Sequence, residues 1–231
     1  MIPKKIHYCW FGGNPKPASV KKCIQSWRTF CPDYEIIEWN ESNFDPQMNG
    51  YTKKCLNEKK YAFLSDYARL YIVEKYGGIY FDTDVELIKN IDHLLTENAF
   101  FCFETLDKVA SGLGFGSAAH GNAVEQMLRE YDILLDGKSD VIGCPELNTK
   151  ALLRLGLKPN GSVQKVSDAI ILSSDYMNPF DSVTGTVHQT ENTVSIHWYD
   201  ASWLKPTRRF RVRIMRVLRK IFGRNFLNRN R

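Results

Sequence analysis

The chain has 231 residues, 43% of them hydrophobic, and a formal net charge of +5, enough apolar material for one sizeable core. No stretch approaches the ~20 apolar residues of a membrane span, and the opening MIPKKIHYCWFGG is too short and polar for a secretory signal, so a cytoplasmic protein is expected. From Lys205 onward there are 11 Lys/Arg and no Asp or Glu, while the preceding residues hold 20 basic against 26 acidic side chains; the pI therefore does not mark a nucleic-acid binder.

Lys5 to Trp10 reads as a first strand, ended by Gly12 and Gly13. Val20, Ile24 and Trp27 then recur at i, i+4, i+7, one face of a helix, and YEIIEW (34–39) is a second strand. Strand, helix, strand this early predicts an α/β domain with a parallel sheet. Residues 40–60 are polar and irregular, a loop with a short helix. FLSDYARLYIVEKYGG is a helix with Tyr67, Leu70 and Tyr71 on one face and Gly77 as its C-terminal cap. The strand Ile79–Phe81 follows. AFFCFE (99–104) is a strand, ASGLGFGSAAHGN a glycine-rich loop, AVEQMLREYDILL a helix, AIILSSDYMNPF a strand and a turn, and TVSIHWYDASW a last strand ending in a polar-aromatic cluster. Six cysteines (Cys9, Cys23, Cys31, Cys55, Cys102, Cys144) form no C-x-x-C pair; reduced, mostly buried thiols are expected, with no cysteine zinc site.

Two acids, Asp82 and Asp84, stand at the carboxyl end of the Ile79–Phe81 strand, where ligands of open α/β sheets bind. Residues two apart in a strand share a side, so the carboxylates can converge. Like charges that close repel unless a cation or proton lies between them, and hard oxygen ligands favour Mg²⁺ or Mn²⁺, which commonly bridge to a substrate's phosphates. The alternative is a turn with solvated acids. Asp66 and Arg69, three apart on the helix that leads into this strand, either approach the same crevice or form a surface ion pair worth well under ~1 kcal/mol. His197 is a possible metal ligand, and Trp198 and Trp203 possible stacking partners or indole donors, although a lone histidine and tryptophans are more often structural. Trp10 or Phe11 can stack on a base, while Gly12 and Gly13 let the backbone approach a ligand.

IPKKIHYCWFGG, FLSDYARLYIVEKYGGIYFDTDVELIKNID and the late IHWYDASW together resemble the DXD-containing sugar transferases of glycosyltransferase family 32, which include bacterial capsular and exopolysaccharide enzymes. The specific block is S-D-x-x-R followed about ten residues later by G-G-x-Y-x-D-x-D. The resemblance covers residues 1–204 with gaps at 43–60 and 120–190. It implies an α/β, GT-A (Rossmann-like) domain over 1–204 that binds a nucleotide-sugar, followed by a basic tail over 205–231. Asp66 and Arg69 match the helix pair that holds donor-sugar hydroxyls, and Tyr80 the aromatic close to the nucleotide. Asp82 matches the acid that meets ribose and sugar, or the metal through water, and Asp84 the direct metal ligand. His197 falls where relatives place a late metal ligand, Ser202 and Trp203 where they place diphosphate contacts, and Trp10 where an aromatic stacks on the base; Phe11 and Gly12 adjoin it. One departure is Cys144-Pro145, where relatives carry Gly-Pro, which touches any role for Glu146, Asn148 or Thr149.

The activity implied is metal-dependent retaining transfer of a hexose to a saccharide or lipid-linked acceptor in capsule, exopolysaccharide or O-antigen synthesis, with Mn²⁺ or Mg²⁺ as cofactor. UDP-hexose is the first donor expected, UDP-N-acetylhexosamine the second and GDP-mannose the third. A D-x-D phosphatase is the rival enzyme, but its motif wants Thr or Val two residues after the second acid, where Glu86 stands. A non-catalytic sugar-nucleotide or polyanion-binding module is the other alternative. A dinucleotide oxidoreductase is poorly supported, since GLGFGS is not a strand-to-helix G-x-G-x-x-G.

In the tail, Phe210, Ile214, Val217, Leu218 and Ile221 recur at i, i+4, i+7, i+8, i+11, with Arg213, Arg216, Arg219 and Lys220 mostly on the other side. Such a basic amphipathic helix, over 208–231, fits an anionic membrane surface, which would place the protein at the inner face of the cell membrane. A helix packed on the domain or on a partner enzyme is the alternative, and nucleic acid is not expected.

Overall fold

The computed structural model describes residues 1–200 and 206–226. Its elements in chain order are β1 (Lys5–Cys9), α1 (Ala18–Phe30), β2 (Glu35–Trp39), α2 (Gly50–Asn57), α3 (Tyr61–Tyr76), β3 (Gly78–Tyr80), β4 (Val85–Leu87), β5 (Ala99–Cys102), β6 (Phe115–Ser117), α4 (Asn122–Arg129), α5 (Cys144–Arg154), β7 (Gln164–Val166), β8 (Ala169–Leu172), β9 (Phe180–Asp181), β10 (Thr186–Val187), β11 (Ser195–His197) and α6 (Pro206–Phe222).

A seven-stranded sheet runs in the order β2-β1-β3-β6-β5-β8-β7. β1 is parallel to both β2 and β3, and β5 to β8, as the early strand–helix–strand order predicts. The sheet is nonetheless mixed, because β6 runs antiparallel between β3 and β5, and β7 antiparallel on the edge. β6 lies inside the stretch read as a glycine-rich loop. Glycine weakens a strand and so hides it, but here small residues are required: a Cβ on Gly116 would come 2.5 Å from Phe100 Cε1. The segment read as one helix after it is also shorter than expected, since α4 stops at Arg129 and a separate 3-10 turn covers Asp132–Leu134.

The pleat sends alternate strand residues to two cores. Tyr80, Phe101 and Phe115 join the helices α2 to α5 on one face, while Ile79, Phe81 and Phe100 join α1 on the other. α1 forms where the spacing predicts it: Val20, Cys23, Ile24 and Trp27 are its buried side. Trp27 is fully buried and donates its indole N–H to the Val85 carbonyl at 2.8 Å, tying α1 to β4. α3 is buried far beyond the single face expected, with Asp66 and Arg69 among its buried residues, because it lies between the sheet and helices α2 and α4.

His7 explains the Gly77-Gly78 pair. Trp39 Nε1–H donates to His7 Nδ1 at 3.1 Å, so the ring proton is on Nε2, which donates to the Gly77 carbonyl at 2.9 Å. Gly77 and Gly78 have φ of 62° and 109°, in the left-handed region that favours glycine, and a Cβ on Gly78 would stand 2.8 Å from His7 Nε2. Burial holds the imidazole down to a pKa of about 4. All six cysteines are free and buried, as expected. Among the described residues no helix is long and apolar enough to cross a membrane.

Candidate active site

The acids sit where β3 leaves the sheet. Phe81 N–H still donates to the His7 carbonyl at 3.1 Å, but Val85 N–H already closes a turn on the Asp82 carbonyl at 3.0 Å. Asp82 and Asp84 thus converge because the chain turns between β3 and β4, not because a strand alternates, and this corrects the strand-based expectation. β4 then pairs antiparallel with β11, setting His197 opposite Val85. Trp198 N–H donates to the Asp84 carbonyl at 3.0 Å. A histidine more than a hundred positions downstream in the sequence is thereby placed beside the acids: His197 Nε2 lies 3.1 Å from Asp84 Oδ1. The backbone N–H of Asp200 donates to Asp84 Oδ2 at 2.9 Å. Asp82, Asp84 and His197 offer ligand atoms that all lie within 4.8 Å of one another.

Arg69 joins this cluster to α3. Its Nη2 lies 2.8 Å from Asp66 Oδ1 and 3.0 Å from Asp82 Oδ1, and its side chain is only 3% exposed. The guanidinium stacks over the Tyr80 ring at 4.9 Å, and Tyr80 donates its hydroxyl to Asp82 Oδ1 at 3.1 Å. The surface-pair alternative is therefore excluded: removing one partner of a buried pair strands a charge, at a cost of about 3–5 kcal/mol. Burial pushes the Asp66 and Asp82 carboxyls up, with Arg69 pulling each the other way. Burial also acts on Asp84, but the neighbouring His197 outweighs it and holds Asp84 below the usual carboxylate range. Burial lowers the His197 imidazole, yet Asp84 wins and its pKa is raised.

Two carboxylates and one imidazole form a donor set that suits a divalent cation with a preference for oxygen. The ring is held by Asp84 at Nε2 and by packing against Tyr199 at 4.1 Å, while Nδ1 is buried with no hydrogen-bond partner among the described residues. The cluster also keeps access to solvent, since the Asp82 side chain remains 26% exposed.

The other expected site residues divide. Trp10 is partly exposed and donates its indole N–H to the Asn14 carbonyl, with Lys16 over its ring. Phe11 turns inward instead and packs edge-on against Phe44, which leaves Trp10 as the aromatic at this surface. Gly12 is pressed on Tyr61, where a Cβ would stand 2.5 Å from the ring, so its smallness answers a protein contact. Tyr80 is 1% exposed and serves as the floor beneath Arg69 and Asp82. Trp198 donates its indole N–H to Glu86 Oε2. Ser202 and Trp203 lie outside the described residues.

Several contributors were not legible as such. Gly112 has no room for a side chain: a Cβ there would come 2.6 Å from Asp82 Oδ2 and 3.0 Å from Arg69 Nη1. Its segment is held by α5, where Asn148 Oδ1 accepts from Ser111 N–H at 3.0 Å and Thr149 Oγ1 from Val109 N–H at 2.9 Å. The Cys144-Pro145 pair, uncertain from the sequence, opens α5 with proline in its first turn, and Arg69 Nη1 reaches Cys144 Sγ at 3.8 Å. Glu146 is out at the surface, paired with Lys108.

Residues 17–101 match the family described as a glycosyltransferase sugar-binding region containing a DXD motif. Over 98 residues the chain is 34% identical to inositol phosphoceramide mannosyltransferase 3 of Schizosaccharomyces pombe, a match that covers 41% of this chain and 27% of that protein. The chain spans less than half the length of the curated relatives it matches. Among solved structures it is similar to the PaToxG glycosyltransferase, with a TM-score of 0.55 and 18% identity over 66% of this chain and 69% of that one. It is also similar to galactosyltransferase LgtC in complex with donor and acceptor sugar analogs, with a TM-score of 0.50 and 11% identity over 92% and 95% of the two chains. The chain thus resembles the DXD glycosyltransferases of family 32: residues 17–101 match the sugar-binding region that describes them, with both acids of the motif in place, on a mixed sheet of the GT-A type.

Proposed function

We propose that the protein is a metal-dependent, retaining glycosyltransferase that moves a hexose from a nucleotide-sugar to a saccharide or lipid-linked acceptor, in the synthesis of a surface polysaccharide. The observation that carries this reading is the convergence of Asp82, Asp84 and His197 within 4.8 Å at the carboxyl end of β3, beside the buried Asp66–Arg69 pair. Asp84 and His197 would hold a Mn²⁺ or Mg²⁺ ion directly, with Asp82 close to it. Bound there, the cation supplies Lewis-acid stabilisation of the diphosphate as the sugar–phosphate bond breaks.

The chain's own residues do the remaining work. Arg69 is saturated by two carboxylates and offers no free charge to phosphate; it positions Asp82 and Asp66. Those two acids then accept hydroxyls of the donor's sugar and ribose. The partly exposed Trp10 ring would stack on the base. No carboxylate in this cluster stands free as a nucleophile, since Asp66 and Asp82 share Arg69 and Asp84 is held by His197 and the Asp200 amide. Front-face attack by the acceptor hydroxyl is the route that fits this arrangement.

The donor proposed first is a UDP-hexose, then UDP-N-acetylhexosamine, then GDP-mannose. A thermal-shift screen of these with and without Mn²⁺, paired with an assay for released nucleoside diphosphate, tests the reading. We expect one nucleotide to stabilise the protein only when Mn²⁺ is present, with diphosphate release. No stabilisation by any donor together with no release would overturn it.

A further inference from the structure

We propose that α6 docks the protein on an anionic lipid bilayer through the side of the helix that faces away from the domain. An amphipathic helix of a water-soluble domain turns its apolar stripe to the core. α6 does the reverse. Phe210, Ile214, Val217 and Ile221 are 67, 42, 58 and 68% exposed, along one side of the helix.

The side toward the domain is held by a cation. Arg216 donates from Nε to the Ser182 carbonyl at 2.9 Å and from Nη2 to the Tyr199 carbonyl at 3.1 Å, and its guanidinium lies 5.1 Å from the Phe180 ring. Arg224 pairs with Asp181 at 3.3 Å. Val212, Met215, Arg216 and Arg219 line a groove against Ser182 and Val183. At 100° per residue, Val212, Met215, Arg216 and Arg219 lie opposite Phe210, Ile214, Val217 and Ile221, so the anchoring contacts themselves aim the apolar stripe outward.

Charge selects the occupant. The segment from Lys205 onward carries 11 Lys/Arg and no acid, and Arg211 and Lys220 are exposed on the helix. An apolar stripe edged by cations matches the boundary between acyl chains and anionic headgroups. A second copy of this chain is a poorer match, since stripe against stripe would bring two sets of like charges together. The same Arg216 that orients the helix holds the backbone of Tyr199, whose ring packs on His197, so a docked α6 lies close in the chain to the candidate metal cluster. The proposal does not rest on the transfer chemistry.

The test is flotation of the full chain with vesicles of phosphatidylcholine containing phosphatidylglycerol, and with phosphatidylcholine alone. The variant carries Ile214→Glu, Val217→Glu and Ile221→Glu together, at positions exposed enough to leave the fold intact, as a melting curve would verify. Wild type should float with the anionic vesicles, about tenfold less with the neutral ones, and less again as salt rises. The variant should stay at the bottom with its melting temperature unchanged. Wild type failing to float with anionic vesicles, or the variant floating as wild type does, overturns the proposal. So does a concentration-dependent dimer in sedimentation velocity that the variant abolishes while vesicle binding is absent.

Discussion

At the scale of single residues, the site is governed by how few side chains are free. Arg69 is enclosed by Asp66, Asp82 and the Tyr80 ring, so Arg69→Lys should damage the site despite keeping the charge: lysine cannot bridge two carboxylates with a planar fork. We expect a loss of stability of about 1–3 kcal/mol by urea denaturation and weaker donor binding by calorimetry. Gly112→Ala addresses a residue that no reading of the sequence could single out, because only the packed structure shows what a Cβ would meet. With Asp82 Oδ2 only 2.6 Å from that position, the acid must move. Donor affinity should fall at least tenfold in a calorimetric titration while the melting temperature changes by a few degrees. Asp82, Asp84 and His197 were legible as residue types at a strand end and in a late polar cluster. That Phe11 packs inward, and that Gly12 answers Tyr61, depends on neighbours far along the chain and was not.

At the scale of elements, β3 and its acids could be read because an apolar run followed by two carboxylates is locally unusual. β6 could not, since its two neighbours in the sheet demand glycine where strand propensity would call for bulk. The junction of β1, β2 and β3 carries its own pH test. His7 is neutral in the fold with a pKa of about 4, against about 6.5 when unfolded. Between those values the unfolded chain binds the proton and the folded one does not. The contribution is therefore complete above pH ~6.5, falls as pH is lowered, and is gone below pH ~4, with an upper size of about 3 kcal/mol. Urea denaturation at stepped pH should show wild-type stability dropping across this window, and His7→Gln should be less stable at neutral pH but show a flatter profile. Parallel profiles for the two proteins would remove His7 from the account. The attachment of α6 leans most on Arg216, which bonds two backbone carbonyls of the domain: Arg216→Ala should make the helix the first site cut in limited proteolysis and leave the melting of the domain unchanged.

At the scale of the whole molecule, the mixed sheet sorts the chain into a support and a working edge. Two cores fix the strands from opposite faces, and the candidate ligand group Asp82, Asp84 and His197 stands where β3 and β11 deliver it, with Asp66 and Arg69 reaching it from α3. The α/β class was legible because alternation of strand and helix is a global pattern. The pairing of β4 with β11 was not legible, because long-range antiparallel partners leave no local mark; yet that pairing brings His197 to the acids. The most direct test of the account is therefore to follow free Mn²⁺ by electron paramagnetic resonance as protein and UDP are added. The account predicts that wild type with UDP depletes the free-ion signal by one equivalent, and that Asp84→Ala and His197→Ala each abolish the depletion while remaining folded. Depletion by either variant equal to that of wild type would contradict the metal centre on which the proposed reaction depends.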